Sequence, residues 1–199
     1  MAKNKKEDRR SQRTRELLHQ ALFMLMREKH YDSITVQDII DRANIGRSTF
    51  YTHFVDKEDL AISSLEQMLD ALIQGPELDD SLRQGVISTV GVFQHVQEQY
   101  PLFQTLVRGR GMELFLEKGQ VYWSKKAEAH LQAFLPKGQE PAVPLPIVAN
   151  YLAGSFVTLL KWWLDNKIPH SPERMDEIFQ QLVMPGARAA LSIKKRKND

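Results

Sequence analysis

Six side chains with hydrogen-bonding groups fall within one short stretch of the chain: Arg47, Ser48, Thr49, Tyr51, Thr52 and His53; all of them except Thr52 are candidate contact residues. The apolar residues among them, Phe50 and Phe54, have the i, i+4 spacing of a single helix face. Such a helix has one face to bury and another that presents donors. An arginine at its start can donate two hydrogen bonds to guanine O6 and N7, and Thr49 can touch a base edge or a thymine methyl group. The pattern predicts a helix that reads a nucleic acid groove.

Contacts to the phosphate backbone are predicted for four side chains in and around this stretch: Thr35, Tyr51, His53 and Lys57. Thr35 and Lys57 stand at the starts of predicted helices, where free N–H groups and the helix dipole favour an anion. Contacts of this kind position a protein on a duplex, whereas contacts to base edges select the sequence.

The elements that must position these side chains are two short helices joined by a tight turn. The first begins at the N-cap Thr35, with Asp38 as its capping-box partner, and reaches about residue 43. Asn44 tolerates the left-handed conformation that a tight turn requires, and Gly46 can serve as the N-cap of the next helix, which reaches about Phe54. Two short helices around such a turn form a helix-turn-helix.

Helical spacing continues over the rest of the chain, and no alternation long enough for a sheet is present, so the predicted fold class is all-α. The predicted segments span residues 10–29, 56–75, 80–100, 102–108, 112–135, 145–167 and 172–184, with a proline-rich loop at 136–146. Gly119 is a candidate break, and Pro185 with Gly186 is predicted to end or kink the last helix. The apolar stretch 145–164 approaches membrane-spanning length, but Asn150, Ser155 and Lys161 interrupt it, which favours a buried helix.

Charge is unevenly distributed over the 199 residues. Residues 1–15 carry a net charge of +5 and residues 194–199 carry +3, so a body of −6 lies between them within a total of +2. The basic run before the first helix is predicted to contact the DNA backbone or minor groove. The basic run at the other end is predicted to be a solubilising tail.

Several classes of site are excluded by what the sequence lacks. Without cysteine there is no disulfide, thiolate nucleophile or cysteine-based zinc site, which suits a reducing cytoplasm. The sequence has no GxSxG, HExxH, Walker or dinucleotide-binding motif, and its histidines lack metal-ligand spacing. We therefore expect no enzymatic activity, cofactor, metal or membrane span.

The run from Ile34 to Leu60 resembles the DNA-binding signature of the tetracycline-repressor (TetR) family, above all in Thr-Phe-Tyr-x-His-Phe-x-x-Lys-Glu-x-Leu at residues 49–60. Asn44 stands where glycine is common in that family, and Gly46 where serine is common. The link from Trp163 to Met175 resembles the connection between the last two helices in one branch of the family.

The resemblance implies an all-α homodimer that binds a double-stranded DNA operator and responds to a small-molecule effector. The implied division is an arm (1–9), a helix-turn-helix domain (10–55), a connecting helix (56–75), a ligand-binding and dimerisation domain (76–193) and a tail (194–199). Candidate pocket residues are Phe103, Phe115, Tyr122, Trp123, Tyr151 and Trp162. Candidate dimer-interface residues are Tyr151, Leu152, Ser155, Phe156, Leu159, Trp163, Ile178, Phe179 and Leu182.

Two alternatives to a ligand-released repressor stay open at this point. One is a transcriptional activator of the same family. The other is a helical protein-interaction module whose DNA-binding head has lost its function, although the intact set Thr49, Tyr51, His53 and Lys57 argues against that loss.

Overall fold

The computed structural model describes residues 2–73, 88–106, 110–135 and 141–191, and within these ranges the chain is helical without an extended strand. The described helices are α1 (Ala2–Glu28), α2 (Val36–Ala43), α3 (Arg47–His53), α4 (Lys57–Ile73), α5 (Val90–Glu98), α6 (Tyr100–Leu106), α7 (Arg110–Phe134), α8 (Leu145–Asp165), α9 (Pro172–Leu182) and α10 (Met184–Leu191). A 3₁₀ turn, Tyr31–Ser33, lies between α1 and α2. The all-α fold class is confirmed.

The entry into α2 and the turn after it fold as predicted. The backbone N–H of Asp38 donates to the Thr35 hydroxyl over 3.1 Å, and the Thr35 N–H donates to the Asp38 carboxylate over 2.7 Å, which completes a capping box. Asn44 adopts the left-handed conformation at φ 53°, and Gly46 is the N-cap of α3.

The start of α4 is fixed by a similar exchange. The N–H of Asp59 donates to the Asp56 carboxylate over 2.8 Å, while the N–H of Val55 donates to the Asp59 carboxylate over 2.9 Å. These bonds satisfy backbone donors that a helix start otherwise leaves free. The short helices of this region are therefore set by side chains within a few residues of each helix start.

Several helix bounds differ from the predicted ones. The first helix begins at Ala2, so residues 2–9 are helical where an arm outside the helix was predicted. α7 runs through Gly119 without a break, and α10 follows α9 directly after Val183. Pro185 lies in the first turn of α10, where a missing N–H removes no intrahelical bond, so this proline permits a new helix.

Some predicted boundaries fall on residues that the structure does not describe. These are the end of the connecting helix at residues 74–75, the start of the 80–100 helix, residues 136–140 of the proline-rich loop and the tail 194–199. In the described part of the 80–100 segment, helix begins at Val90 after the N-cap residue Thr89.

Backbone contacts divide the chain into two compact units that are not contiguous in sequence. The first unit comprises residues 1–68 and 101–115, and the second comprises residues 69–100 and 116–199. The first unit has a core of fully buried side chains from α1 to α4: Leu18, Leu22, Ile39, Phe50 and Leu60. Burial of these faces holds the helix-turn-helix together, because short isolated helices are unstable in water.

The core of the second unit is built around aromatic rings. Phe156 of α8 contacts Phe93, Trp123 and Phe179 in edge-to-face geometry, with ring centroids 5.4, 5.6 and 6.2 Å apart. Trp163 is completely buried, and its indole N–H donates to the His170 carbonyl over 2.9 Å. That bond ties α8 to the link that leads into α9.

α8 is long and apolar enough to cross a membrane by length and composition alone. Nine of its residues are buried in the second unit, among them Leu152, Phe156 and Trp163. This burial is that of a core helix, as the polar interruptions of the sequence predict.

Candidate nucleic-acid interface

α3 has the two faces that its sequence predicts. Phe50 is fully buried and Phe54 is 3% exposed, so these rings fix the helix against the core of the first unit. On the other side Arg47 and Ser48 are exposed, Tyr51 is 52% exposed, and Thr49 and His53 are half-exposed. The five predicted α3 side chains therefore lie on a helix with a surface available to a groove.

Arg47 is positioned by a residue of the preceding helix. Its Nη2 donates to the Gln37 side-chain oxygen over 3.2 Å, and the Gln37 amide donates in turn to the Asp41 carboxylate over 2.8 Å. The guanidinium is thus held at the start of α3 while remaining exposed. Sequence reasoning missed Gln37, because its position on α2 gives no sign that it reaches across the turn.

Thr52 belongs to the polar set of α3 but was not predicted as a contact. It is exposed, and its hydroxyl donates to the Ser48 carbonyl over 2.9 Å. This bond uses its proton within the helix, so its free hydrogen-bonding capacity is as an acceptor.

Thr35 has a structural role that competes with its predicted phosphate contact. Its hydroxyl donates to the Asp38 carboxylate over 2.7 Å and accepts from the Asp38 N–H. Lys29 lies 2.9 Å from the same carboxylate, and these partners hold the pKa of Asp38 well below its usual range. Because the single hydroxyl proton is donated to Asp38, a phosphate that accepts from this hydroxyl would have to replace that bond, although both bonds of the capping box would remain.

Lys57 is likewise committed within the chain. Its Nζ donates to the carbonyl oxygens of Tyr31 and Ile34 over 2.9 and 2.8 Å, and it lies 4.3 Å from the centre of the Tyr31 ring. Burial lowers the pKa of the ammonium group. Two of the three ammonium protons thus join the start of α4 to the segment before α2, and the phosphate contact at Lys57 stays a prediction.

An ion pair between Arg42 and Glu28 joins α2 to α1. Both terminal nitrogens of Arg42 donate to the Glu28 carboxylate, over 2.8 and 2.6 Å, and this bidentate bond lowers the pKa of Glu28. The helix-turn-helix is therefore attached to its neighbours by polar bonds as well as by its apolar core.

Sequence comparison identifies both parts of the chain. Residues 18–63 match the profile described as bacterial regulatory proteins of the tetR family, and residues 88–185 match one described as a transcriptional regulator C-terminal region. The chain belongs to the TetR family. Its family and fold are those of DNA-binding transcriptional regulators.

Individual relatives agree with this family assignment. An HTH-type transcriptional regulator of Bacillus subtilis, YxbF, is 26% identical in an alignment 191 residues long that covers 91% of this chain and 47% of the relative. The chain thus spans about half the length of that curated relative. A TetR regulator from Streptococcus agalactiae is 26% identical, with a TM-score of 0.61 over 89% of this chain and 97% of its own. The regulator TylP from Streptomyces fradiae shares the fold, with a TM-score of 0.63, 21% identity and coverage of 94% and 86%.

The six predicted pocket residues of this TetR-family chain fall into separate places. Phe103 and Phe115 lie in the first unit, in edge-to-face contact at 5.3 Å, and both line a cavity there. Tyr122 and Trp123 pack against each other in the second unit, and the Tyr122 hydroxyl donates to the Asp70 carboxylate.

Neither of the other two predicted pocket residues is enclosed. Tyr151 is 46% exposed, and Trp162 is 45% exposed with its ring stacked on His170. The cavity of the first unit is thus lined by two of the six aromatics, Phe103 and Phe115, and a ligand role for the other four stays a prediction.

The nine predicted interface residues divide by burial. Leu152, Phe156, Trp163 and Phe179 are at most 4% exposed within the single chain, so they form its own core and are corrected from interface to core residues. The apolar character of these four residues predicts that they are buried, but it does not show whether one chain or two chains bury them. The remaining five are at least partly exposed: Tyr151, Ser155, Leu159, Ile178 and Leu182.

Proposed function

We propose that the chain is a homodimeric, ligand-responsive regulator in the cytoplasm that represses transcription from a pseudo-palindromic operator. In this proposal each protomer inserts α3 into a major groove of double-stranded DNA, as the second helix of a helix-turn-helix does. A small-molecule effector then releases the protein from its operator.

The observation that carries the proposal is the position of Arg47. Its guanidinium is exposed at the first residue of α3 and oriented by Gln37, while Phe50 of the same helix is fully buried. A guanidinium held in this way can donate two hydrogen bonds to a guanine edge. Tyr51, half exposed on the same helix, is assigned to the phosphate backbone.

A pair of substitutions tests these roles on fragments of the promoter region of the chain's own gene. Arg47→Ala is expected to weaken binding and to relax the preference at one base position, at which a good bidentate pair contributes about 1–3 kcal/mol of discrimination. Tyr51→Phe is expected to weaken binding to all sequences alike. An unchanged base-preference profile for Arg47→Ala would refute the base contact.

Salt titrations of binding to these promoter fragments distinguish a DNA-binding regulator from a protein-interaction module whose DNA-binding head is inactive. Specific binding is expected to fall steeply with salt and to exceed binding to random duplex by at least about a thousandfold. Equal affinity for promoter and random fragments would favour the interaction module. A reporter gene downstream of the bound fragment distinguishes repression from activation, because deletion of the regulator raises expression in the first case and lowers it in the second.

Dimerisation is proposed through exposed apolar side chains near the ends of α8 and α9. Ile147 is 60% exposed and Leu182 is 67% exposed, and Tyr151 lies one helical turn after Ile147. Exposed large apolar groups on neighbouring helix turns favour a protein interface. Leu182→Glu is expected to produce monomers in sedimentation experiments, whereas Gln181→Glu at the adjacent exposed position keeps the dimer. A Leu182→Glu protein that sediments as a dimer would refute this surface.

A further inference from the structure

The first unit contains a cavity bounded by α1, Tyr31, α4, α6 and the start of α7. It offers about 60 Å³ to the centres of water-sized molecules, and it is partly open to solvent. A single water needs roughly 10–15 Å³ of such space, so the cavity has room for several groups the size of a water molecule. Most of its lining side chains are apolar, and none of them carries a charge; they include Leu22, Met26, Met68, Phe103 and Phe115.

One residue that lines the cavity, Tyr31, carries a buried polar atom without a hydrogen-bond partner in the described part of the chain. Tyr31 is 4% exposed, and its hydroxyl has no hydrogen-bond partner among the described residues. The other lining hydroxyl, that of Ser64, donates to the Leu60 carbonyl over 2.8 Å. A buried donor without an acceptor is unfavourable, so a ligand that offers an acceptor to this hydroxyl would form a bond that the protein itself does not make.

The residue with this free donor is also connected to the DNA-binding helices. The Tyr31 carbonyl accepts from Lys57 at the start of α4, and the next residue, Asp32, accepts from the Arg110 N–H of α7 over 3.2 Å. Three residues further on, Thr35 caps α2. A molecule against the Tyr31 ring therefore touches the segment that leads directly into the helix-turn-helix.

We propose that this cavity binds a small neutral molecule with an apolar body and one hydrogen-bond acceptor, which accepts from the Tyr31 hydroxyl. A charged ligand is disfavoured, because the lining supplies no countercharge and burial of an unpaired charge is strongly unfavourable. The site lies in the unit that carries α2 and α3, whereas Tyr122 and Trp123 belong to the second unit. Binding of the small molecule in this cavity does not depend on the proposed function. An effect of the bound molecule on operator affinity does rest on the proposed function.

Occupancy is measured by NMR of the full chain labelled with ¹³C at the methionine methyl groups. Met26 and Met68 line the cavity, whereas Met175 and Met184 are buried in the second unit and serve as internal controls. The probes are cyclohexanone and methylenecyclohexane, which have the same shape but differ in the acceptor oxygen. We expect cyclohexanone to shift the Met26 and Met68 signals and to bind more tightly than methylenecyclohexane.

Tyr31→Phe removes only the hydroxyl. It is expected to weaken cyclohexanone binding about fivefold, the equivalent of one ordinary hydrogen bond, and to leave methylenecyclohexane unchanged. Equal affinities of the two probes for the wild type, or a cyclohexanone affinity unchanged by Tyr31→Phe, would overturn the assignment of the acceptor. Shifts confined to Met175 and Met184 would overturn the location.

A space-filling substitution provides an independent test. Ala61→Leu places three additional carbons at the lining of the cavity, and Glu66→Leu places a leucine on the exposed side of the same helix. We expect the first to abolish the cyclohexanone shifts and the second to preserve them, with both proteins melting cooperatively. Persistent binding to a folded Ala61→Leu protein would refute the site.

Fluorescence anisotropy with labelled promoter DNA tests the connection to α2. Cyclohexanone at saturation is expected to change the DNA affinity of the wild type and to leave that of Ala61→Leu unchanged. If the wild type binds specific DNA without responding to cyclohexanone, the link to the helix-turn-helix is refuted. If it binds no specific DNA, the proposed function fails, while the NMR result still decides the ligand site.

Discussion

Replacing Lys57 with methionine distinguishes a clamp from a phosphate contact. Methionine keeps most of the apolar length of the side chain, with a sulfur in place of one methylene, and lacks the ammonium group, which donates over 2.9 and 2.8 Å to the carbonyls of Tyr31 and Ile34. Hydrogen bonds to a charged group contribute about 1.5–3 kcal/mol each, and the contact with the Tyr31 ring adds about 0.5–1 kcal/mol. The burial that lowers the pKa of Lys57 offsets part of this gain.

We therefore expect Lys57→Met to lower the free energy of unfolding by about 2–3 kcal/mol. For a chain of this size, that corresponds to a decrease in Tm of roughly 4–12 °C by circular dichroism. Arg47→Met is the matched control, since it removes the same charge from an exposed position with one hydrogen bond of 3.2 Å. It is expected to change Tm by less than about 2 °C and to lose DNA affinity.

The salt dependence of DNA binding supplies the refuting result. Measured well below Tm, Lys57→Met should keep the slope of log affinity against log salt, because the clamp neutralises no phosphate. Loss of a phosphate contact lowers the magnitude of that slope by about one. A Lys57→Met protein that melts with the wild type and binds with a slope reduced by one would show that Lys57 contacts the backbone.

Three further outcomes follow from the described contacts. Thr35→Ala leaves the Asp38 N–H without its cap and should lower stability by about 1 kcal/mol in thermal unfolding, with an unchanged Tm as the contrary result. Burial lowers the pKa of His19 in the folded protein, so the unfolded chain takes up the proton first and the free energy of unfolding should fall as pH drops below about 6.5. His19→Gln should make this fall between pH 7 and pH 5 smaller. An equally steep fall in the variant would contradict the assignment. Trp163→Phe removes the donor to the His170 carbonyl and should lower stability by about 1–3 kcal/mol in urea unfolding, and a wild-type midpoint would exclude that role.

The sequence predicts those parts of the fold whose conformation depends only on residues that are close together in the chain. The capping box of Thr35 and Asp38 and the left-handed Asn44 both depend on neighbours within four positions, and both are present. The two-faced α3 follows from the spacing of Phe50 and its neighbours in the same way.

The parts that the sequence does not predict depend on distant residues. Lys57 reaches carbonyls 26 and 23 positions earlier in the chain, and no local pattern marks that bond. Leu152 and Trp163 are apolar whether one chain or two buries them, so composition alone assigns them equally to a core or an interface. Tyr31 differs from an ordinary surface tyrosine only once the helices around it are in place.

The division into units has a consequence for any attempt to isolate the DNA-binding head. Because residues 101–115 belong with residues 1–68, the chain passes between the units at three points: after Met68, after Tyr100 and after Phe115. A fragment cut near residue 75 would lose Phe103 and Phe115 and would expose the side chains of α1 and α4 that line the cavity with them. Such a fragment is expected to aggregate. The shortest fragment expected to fold on its own joins residues 101–115 to residues 1–68, either through a linker or by circular permutation. The head is a product of two separated stretches of chain, and limited proteolysis at a single site will not release it intact.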